Sequence, residues 1–256
     1  MRKLLFALHG LLSYAGFVGS FLYAVAFVGN CPMVRGLDAS PTTPVGQALL
    51  VDALLLGLFA VQHSVMARPA FKRWWTRFIA PDLERSTYVL LASAALALLV
   101  WQWQPLGGQL WSIGGSPAAM ALQVTFWAGW GVLFVSTFLI NHFELFGLRQ
   151  SFTPLLGLDE AHAHFRTPGF YRYVRHPIYL GFLLAFWSAP VMTIGHLFFA
   201  VMTTGYILVG IFLEERDLVA QFGSRYAEYR QRVGMLLPRM RSARPALEPT
   251  AGGKKA

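Results

Sequence analysis

The segment from Pro177 to Leu213 reads PIYLGFLLAFWSAPVMTIGHLFFAVMTTGYILVGIFL and contains no Asp, Glu, Lys or Arg. A membrane-spanning helix needs about 20 mostly apolar residues, so this segment is too long for one straight span. Pro190 and Gly195 interrupt it near its middle, and proline ends or kinks a helix. The segment therefore predicts a tight helical hairpin that enters and leaves the membrane on the same side.

Further apolar segments of spanning length precede the hairpin. They run from about Leu4 to Val28, from Val45 to Met66, from Thr87 to Trp103 and from Pro117 to Ile140. The chain is 55% hydrophobic and 13% charged, whereas soluble domains carry roughly 25% charged residues. We expect an all-α, polytopic integral membrane bundle with four spans plus the C-terminal hairpin, and cytoplasmic C-terminal helices. We assign residues 1–240 to one membrane domain and predict a disordered tail over residues 241–256.

The formal net charge of +9 is distributed unevenly along the chain. Basic residues concentrate after the second span, after the fourth span and in the C-terminal region, whereas the other two loops contain only Arg35. By the positive-inside rule, this pattern predicts a bacterial inner-membrane protein with both termini cytoplasmic. Basic loops on the cytoplasmic side of the lipid bilayer account for the positive net charge, so no nucleic-acid partner is expected. The single Cys31 excludes an intrachain disulfide and any multi-cysteine metal site.

Polar residues occur at the predicted cytoplasmic ends of several helices. These residues are Gln62, His63, Asn141, His142, Glu144, His176, Tyr179, Glu214 and Glu215. Polar groups inside apolar segments are costly, and their convergence at one membrane depth indicates a functional site. The alternative interpretation is that helix ends near lipid headgroups are simply polar.

The start of the hairpin has the features of a ligand site. Pro177 suits the first turn of a helix, and a helix N-terminus flanked by Arg175 and His176 favours a carboxylate or another anion. Gly181, one turn later, permits close approach by a ligand or another helix. At the far end of the hairpin, adjacent carboxylates at 214 and 215 can accept hydrogen bonds from a ribose diol or pair with neighbouring arginines.

Together these motifs resemble those of the isoprenylcysteine carboxyl methyltransferase and phospholipid methyltransferase superfamily. The resemblance covers about residues 165–240 and rests on Arg-His-Pro-x-Tyr-x-Gly at 175–181, Glu-Glu at 214–215 and Phe-Gly-x-x-Tyr-x-x-Tyr at 222–229. It implies that S-adenosylmethionine binds between the hairpin and the following cytoplasmic helices and leaves as S-adenosylhomocysteine. The cofactor-binding residues that it implies are Arg172, Arg175, His176, Tyr179, Leu180, Gly181, Glu214, Glu215, Tyr226 and Tyr229.

The N-terminal part of the chain narrows this resemblance. Gln62-His63-Ser64, Glu84-Arg85-Ser86-Thr87-Tyr88 and the segment 141–150 are similar to the bacterial NnrU-like branch, which includes methanethiol S-methyltransferases. This similarity implies methylation of a small thiol, methanethiol, to dimethyl sulfide. The alternatives are a phospholipid or larger-thiol methyltransferase, and a non-enzymatic NnrU-like protein of nitrogen-oxide metabolism that holds haem through His63 and His142. The oligomeric state stays open.

Methyl transfer to a thiol is an in-line displacement that needs no metal, but the thiolate is a better nucleophile than the thiol. A nearby base would therefore assist the reaction. We predict His142, beside Asn141, and His63 as candidates for this base, and Arg85 with Tyr88 as residues that line the pocket mouth. The alternative role for either histidine is structural, in a hydrogen bond to a helix carbonyl. His162 and His164 lie in a polar loop and either cap the site or face solvent.

Overall fold

A computed structural model of the protein describes residues 1–157 and 165–239. The predicted disordered tail, His162 and His164 all lie outside the described residues. Within those residues, the chain forms five helices that are long and apolar enough to cross a membrane, together with one shorter apolar helix. The predicted all-α, polytopic fold is therefore confirmed.

The described helices are α1 (Arg2–Val28), α2 (Val45–Ala67), α3 (Pro69–Trp75), α4 (Pro81–Gln102), α5 (Pro117–Leu139), α6 (His142–Leu145), α7 (Leu148–Leu156), α8 (Pro177–Trp187), α9 (Ile194–Phe222) and α10 (Ser224–Arg232). Two short strands, β1 (Gln109–Ser112) and β2 (Val191–Thr193), and a 3₁₀ helix (Gly169–Arg172) complete the structure. Helix α4 begins six residues before the predicted span, because Pro81 occupies its first turn and the polar residues that follow continue the helix.

The hairpin is present, but its two arms differ in length. Helix α8 has 11 residues and α9 has 29, which correspond to about 16 Å and about 44 Å at 1.5 Å per residue. Strand β2 lies between them and pairs antiparallel with β1 in the loop that precedes α5. The two-stranded sheet was not predicted, since strands of four and three residues are too short to show an alternating pattern.

Helices α5 and α8 pack closely because each has a glycine at their contact. A Cβ atom added at Gly181 would lie 2.6 Å from the carbonyl oxygen of Gly129, and one added at Gly129 would lie 2.7 Å from the carbonyl oxygen of Gly181. Small residues of this kind allow close helix packing in membranes, where van der Waals contact drives association. The close approach that Gly181 permits is therefore to another helix.

The two ends of the bundle differ in their loops. We call the end with the basic loops after α2, α5 and α9 the basic end, and the end with the loops after α1, α4 and α8 the opposite end. At the opposite end, His196 Nδ1 lies 2.9 Å from Asp38 Oδ2, and Asp52 Oδ1 accepts a 2.8 Å hydrogen bond from the backbone N–H of Gln104. Thr193 also donates to Asp38, so these contacts join the loops after α1 and α8 and tie the loop after α4 to α2.

Candidate functional site

The start of α8 and the end of α9 meet at the basic end in a set of charged residues, Arg175, His176, Glu214 and Glu215, which we call the carboxylate cluster. Arg175 Nε donates to Glu215 Oε1 at 2.7 Å, and His176 Nε2 lies 3.1 Å from the same oxygen. The side chains of Arg175 and Glu215 are only 8% and 11% exposed. Glu215 therefore takes part in buried ion pairs. This is the alternative role given above, in which the carboxylates pair with neighbouring arginines.

Glu214 has a different environment from its neighbour. Its side chain is 43% exposed, and its Oε2 atom lies 3.8 Å from His176 Nδ1, beyond ordinary hydrogen-bond distance. The hydroxyl of Tyr179 lies near Glu214. A carboxylate offers about four acceptor positions, so Glu214 retains the capacity to bind hydroxyl groups of a ligand.

The C-terminal segment covers the N-terminus of α8. The backbone N–H groups of Arg175 and His176 donate to the carbonyls of Gly234 at 2.8 Å and Met235 at 3.1 Å. Arg175 Nη1 also donates to the carbonyl of Val233 at 2.5 Å. The chain itself therefore supplies the acceptors of these two N–H groups, which precede α8. Sequence spacing alone does not show that a segment some 60 residues away returns to this helix end.

Aromatic residues form a wall beside the carboxylate cluster. The ring of Phe165 lies 5.9 Å from that of Tyr226 and 5.3 Å from that of Tyr229. Burial raises the pKa of Tyr226 above its ordinary value and that of Tyr229 to about 12, so both hydroxyls are donors at neutral pH. Tyr229 donates to the carbonyl of Tyr171 at 2.5 Å. The buried hydroxyl of Tyr226 has no hydrogen-bond partner among residues 1–157 and 165–239.

The remaining residues of the predicted cofactor site lie around this wall. Leu180 is half-buried in α8, and Arg172 is exposed at the end of the 3₁₀ helix. Gly181 contacts α5, as described above. The structure therefore brings the other members of the predicted set together near the start of α8, whereas Arg172 is exposed and Gly181 contacts α5.

A second set of residues, Phe59, His63, Tyr88 and Tyr206, lies where α2, α4 and α9 approach one another. We call it the histidine cluster. The hydroxyl of Tyr88 lies 3.1 Å from His63 Nδ1 and 3.0 Å from His63 Nε2, and the ring of His63 stacks on Phe59 at 5.2 Å. One hydroxyl satisfies only one ring nitrogen, so the other nitrogen of His63 stays available for a proton.

Tyr206 was missed in the sequence, yet it connects the two clusters. Its ring lies 6.5 Å from that of His63, and its hydroxyl accepts a 3.4 Å hydrogen bond from Ser64. Tyr206, Gly210 and Glu214 are spaced four residues apart, so they share one face of α9. The hydroxyl of Tyr179 lies against this face, 3.8 Å from a Cβ added at Gly210. The four-residue spacing of Tyr206, Gly210 and Glu214 is the sequence signal that could have identified Tyr206.

His142 is in a different environment from His63. Its Nε2 lies 2.8 Å from the hydroxyl of Tyr14 and its Nδ1 lies 2.8 Å from the hydroxyl of Thr137, while its ring stacks on Phe138 at 4.2 Å. Burial lowers its pKa. With both nitrogens engaged, His142 has the geometry of a structural histidine, and neither nitrogen is free to ligate haem.

Asn141 and Arg85, the other predicted catalytic residues, line a pocket of about 320 Å³ at the basic end. Arg85 Nε donates to the carbonyl of Leu145 at 2.7 Å, and its guanidinium lies 5.1 Å from the ring centroid of Tyr88. Asn141 has a positive φ of 94° and donates to Glu144 Oε2 at 2.5 Å. This pocket is connected to the histidine cluster through Tyr88, but its lining is charged.

Comparisons with known proteins identify relatives along most of the chain. Residues 85–233 match the family described as "Protein of unknown function (DUF1295)". Methanethiol S-methyltransferase 2 of Bradyrhizobium diazoefficiens is 52% identical over 238 residues, which cover 93% of this chain and 92% of that protein. Methanethiol S-methyltransferase of Mycobacterium tuberculosis is also 52% identical, over 93% of this chain and 98% of that protein.

A more distant relative is the mouse protein Nurim. It is 32% identical to this chain over 180 residues, which cover 67% of this chain and 68% of Nurim. No solved structure gives a significant match. The strongest similarity therefore extends across the N-terminal spans as well as the carboxylate cluster.

Proposed function

We propose a function from one premise: this chain belongs to the family of the methanethiol S-methyltransferases, and it is a multi-pass membrane methyltransferase. The reaction that we propose transfers a methyl group from S-adenosylmethionine to methanethiol and gives dimethyl sulfide and S-adenosylhomocysteine. The single observation that carries this proposal is the shared face of α9, on which Glu214 and Tyr206 connect the carboxylate cluster to His63.

The residues of the carboxylate cluster fit a nucleoside cofactor. Glu214 is a half-exposed carboxylate that can accept both hydroxyls of a ribose, and the rigid pairs of Glu215 with Arg175 and His176 hold it in position. The hydroxyl of Tyr226, which has no partner within residues 1–157 and 165–239, can donate to an acceptor atom of the cofactor. When bound, S-adenosylmethionine supplies an electrophilic methyl group on a sulfonium.

His63 is the residue that we assign as the general base. Tyr88 holds one of its ring nitrogens, and the other can accept the proton that the thiol loses when it attacks. The thiol then reacts as a thiolate, the stronger nucleophile. Phe59, Tyr88 and Tyr206 surround His63 with aromatic surface, which suits a substrate that consists of one methyl group and one sulfur atom.

The location of the site follows from the charge distribution. Both clusters lie toward the basic end of the bundle, and we propose that this end faces the cytoplasm of a bacterial cell, with both termini inside. Basic loops stay on the cytoplasmic side of a membrane, and S-adenosylmethionine is a charged, water-soluble cofactor that reaches the protein from that side.

An activity assay tests the proposal. We expect purified protein in detergent to produce dimethyl sulfide from methanethiol and S-adenosylmethionine, with one product molecule formed per S-adenosylhomocysteine. Donor with a trideuterated methyl group should shift the product mass by three. If S-adenosylhomocysteine binds but no dimethyl sulfide forms, the assignment of methanethiol is wrong and a larger thiol should be tested in its place.

A further inference from the structure

The pocket of about 320 Å³ at the basic end is not used by the proposed methyl transfer. Its polar lining includes Lys72, Glu84, Arg85, Asn141 and Glu144, and we call it the lysine pocket. It opens beside α3, the short basic and aromatic helix at the interface. We propose that the lysine pocket binds the headgroup of a zwitterionic membrane phospholipid, with its phosphate at Lys72 and Arg85 and its ammonium at Glu144.

Two cations line the pocket, and neither has an acidic partner within 3.5 Å among the described residues. Lys72 Nζ lies 3.8 Å from Glu84 Oε2, at the limit of an ion pair, and its side chain is 34% exposed. The terminal amino groups of Arg85 make no hydrogen bond to any described residue, since only its Nε is used, by the carbonyl of Leu145. Two cations side by side with open donors are the arrangement that binds a phosphate.

The pKa of Lys72 agrees with this assignment. Burial and the nearby positive charge of Arg85 lower it, and the carboxylate of Glu84 offsets this effect only in part. Lys72 lies in α3, outside the membrane-spanning helices. An anion between Lys72 and Arg85 would relieve the repulsion between them.

Acidic and amide groups occupy the other side of the pocket. Glu144 is 32% exposed, and its Oε2 atom is 2.5 Å from Asn141 Nδ2 and 3.4 Å from Arg149 Nη1. The buried Oε1 atom of Gln150, also in the lining, has no partner in the described part of the chain. An ammonium group supplies a positive charge as well as donors to these oxygens, whereas the glycerol headgroup of phosphatidylglycerol supplies donors without the charge.

The surface next to the pocket suits the rest of a lipid. Phe138, Ile140 and Phe143 are 48%, 39% and 48% exposed, and Ile140 also lines the pocket. Apolar side chains that face outward at this depth contact acyl chains, whereas a soluble zwitterion would make no use of them. The charged pocket and its apolar border together favour phosphatidylethanolamine.

Native mass spectrometry of the full chain tests this assignment. Detergent-solubilised protein is mixed with phosphatidylethanolamine, phosphatidylglycerol, or the soluble headgroup phosphoethanolamine. We expect wild type to retain phosphatidylethanolamine in preference to the other two. Lys72→Gln should weaken this retention about tenfold, and Glu144→Gln should remove the preference over phosphatidylglycerol.

Arg77→Gln is the matched control, because it removes a positive charge from the same segment at an exposed position outside the pocket lining. It should retain the lipid as wild type does, and Lys72→Arg should restore retention if Lys72→Gln folds poorly. Equal retention of both lipids by wild type, or an equal loss in Lys72→Gln and Arg77→Gln, would overturn the proposal. Displacement of the lipid by S-adenosylhomocysteine would also overturn it, because the pocket would then belong to the cofactor.

Discussion

Each end of the bundle has a buried histidine paired with a carboxylate, but the surroundings of the two pairs differ. At the basic end, His176 lies 3.1 Å from Glu215, and at the opposite end His196 lies 2.9 Å from Asp38. Both histidines are at most 5% exposed. The chemistry of the two pairs is the same, so the difference in function must come from the groups around them.

At the opposite end both members of the pair have further hydrogen-bond partners, although Asp52 Oδ2 at the same end has no partner among the described residues. Asp38 accepts hydrogen bonds from Asn30 and Thr193, and His196 Nε2 lies 2.9 Å from the carbonyl oxygen of Phe186. At the basic end, Glu214 is half-exposed and the hydroxyl of Tyr226 lacks a partner in the described chain. The pair at the opposite end joins two loops, whereas the pair at the basic end lies beside an exposed carboxylate that can bind a ligand.

The largest effect should come from His63→Gln. We expect kcat to fall about a thousandfold, because general base catalysis contributes about 10²–10⁴ and glutamine cannot accept the proton. The loss should shrink as pH rises, since more thiolate is then present without a base. Initial rates across a pH series measure both effects, with His142→Gln compared at equal amounts of folded protein. A similar pH dependence of the loss in both variants would contradict the choice of His63.

Asp38→Asn should reduce stability without changing the site. Replacing the carboxylate with an amide removes a buried acceptor from His196, Thr193 and Asn30, which costs about 1–3 kcal/mol, so the unfolding temperature should fall while kcat per folded molecule stays the same. Loss of cofactor binding in this variant would show that the two ends are coupled.

The effect of Asp38→Asn should also depend on pH. Burial favours a higher pKa for Asp38, but hydrogen bonds and charge from His196, with Thr193 and Asn30, outweigh it and lower the pKa below its usual 3.8. A carboxyl group with a lowered folded-state pKa stabilises above its usual pKa, and this stabilisation is lost as pH falls through the folded value. The difference in unfolding temperature between wild type and variant should therefore shrink below about pH 4.

Glu214→Ala should weaken S-adenosylhomocysteine binding about tenfold to hundredfold, since hydrogen bonds to a charged group contribute about 1.5–3 kcal/mol. Isothermal titration calorimetry measures the affinity. Glu228→Ala is the matched control, because Glu228 is 67% exposed in α10 and only weakly paired with Arg232. Equal affinities for all three proteins would remove Glu214 from the cofactor site.

The smallest effect should come from Gly181→Ala. The added methyl group would contact backbone atoms of α5 that cannot move easily, so we expect a loss of about 1–3 kcal/mol in stability. Gly131→Ala is the control in α5, where nothing lies within 4 Å of an added Cβ. If Gly181→Ala instead lowered cofactor affinity at unchanged stability, Gly181 would contact the cofactor rather than only α5.

The spans were predictable because a membrane helix must be long and apolar, and this requirement is visible in the sequence. The two arms of the hairpin and the position of His176, Glu214 and Glu215 at one membrane depth follow from the same reasoning, whereas α4 begins six residues before its predicted span. The order of the spans was therefore predictable without any knowledge of their packing.

Contacts between distant segments were not predictable in this way. His196 and Asp38 are separated by 158 positions, and no local pattern connects them. The carbonyls of Gly234 and Met235 accept hydrogen bonds from the backbone N–H groups of Arg175 and His176 at the start of α8. These bonds also depend on how the chain returns to this helix. Tyr206 was missed because a single tyrosine in an apolar helix resembles a residue that only packs against other helices. Its role becomes visible once its neighbours in space are known.

The ligand-induced change in unfolding temperature tests the contrast between the two ends most directly. A saturating ligand at about 100 times its Kd stabilises by about 2.7 kcal/mol. We predict that S-adenosylhomocysteine raises the unfolding temperature of wild type and of Asp38→Asn by similar amounts, and raises that of Glu214→Ala much less. If wild type shows no increase, or if Asp38→Asn loses the increase while Glu214→Ala keeps it, the cofactor does not bind at the carboxylate cluster.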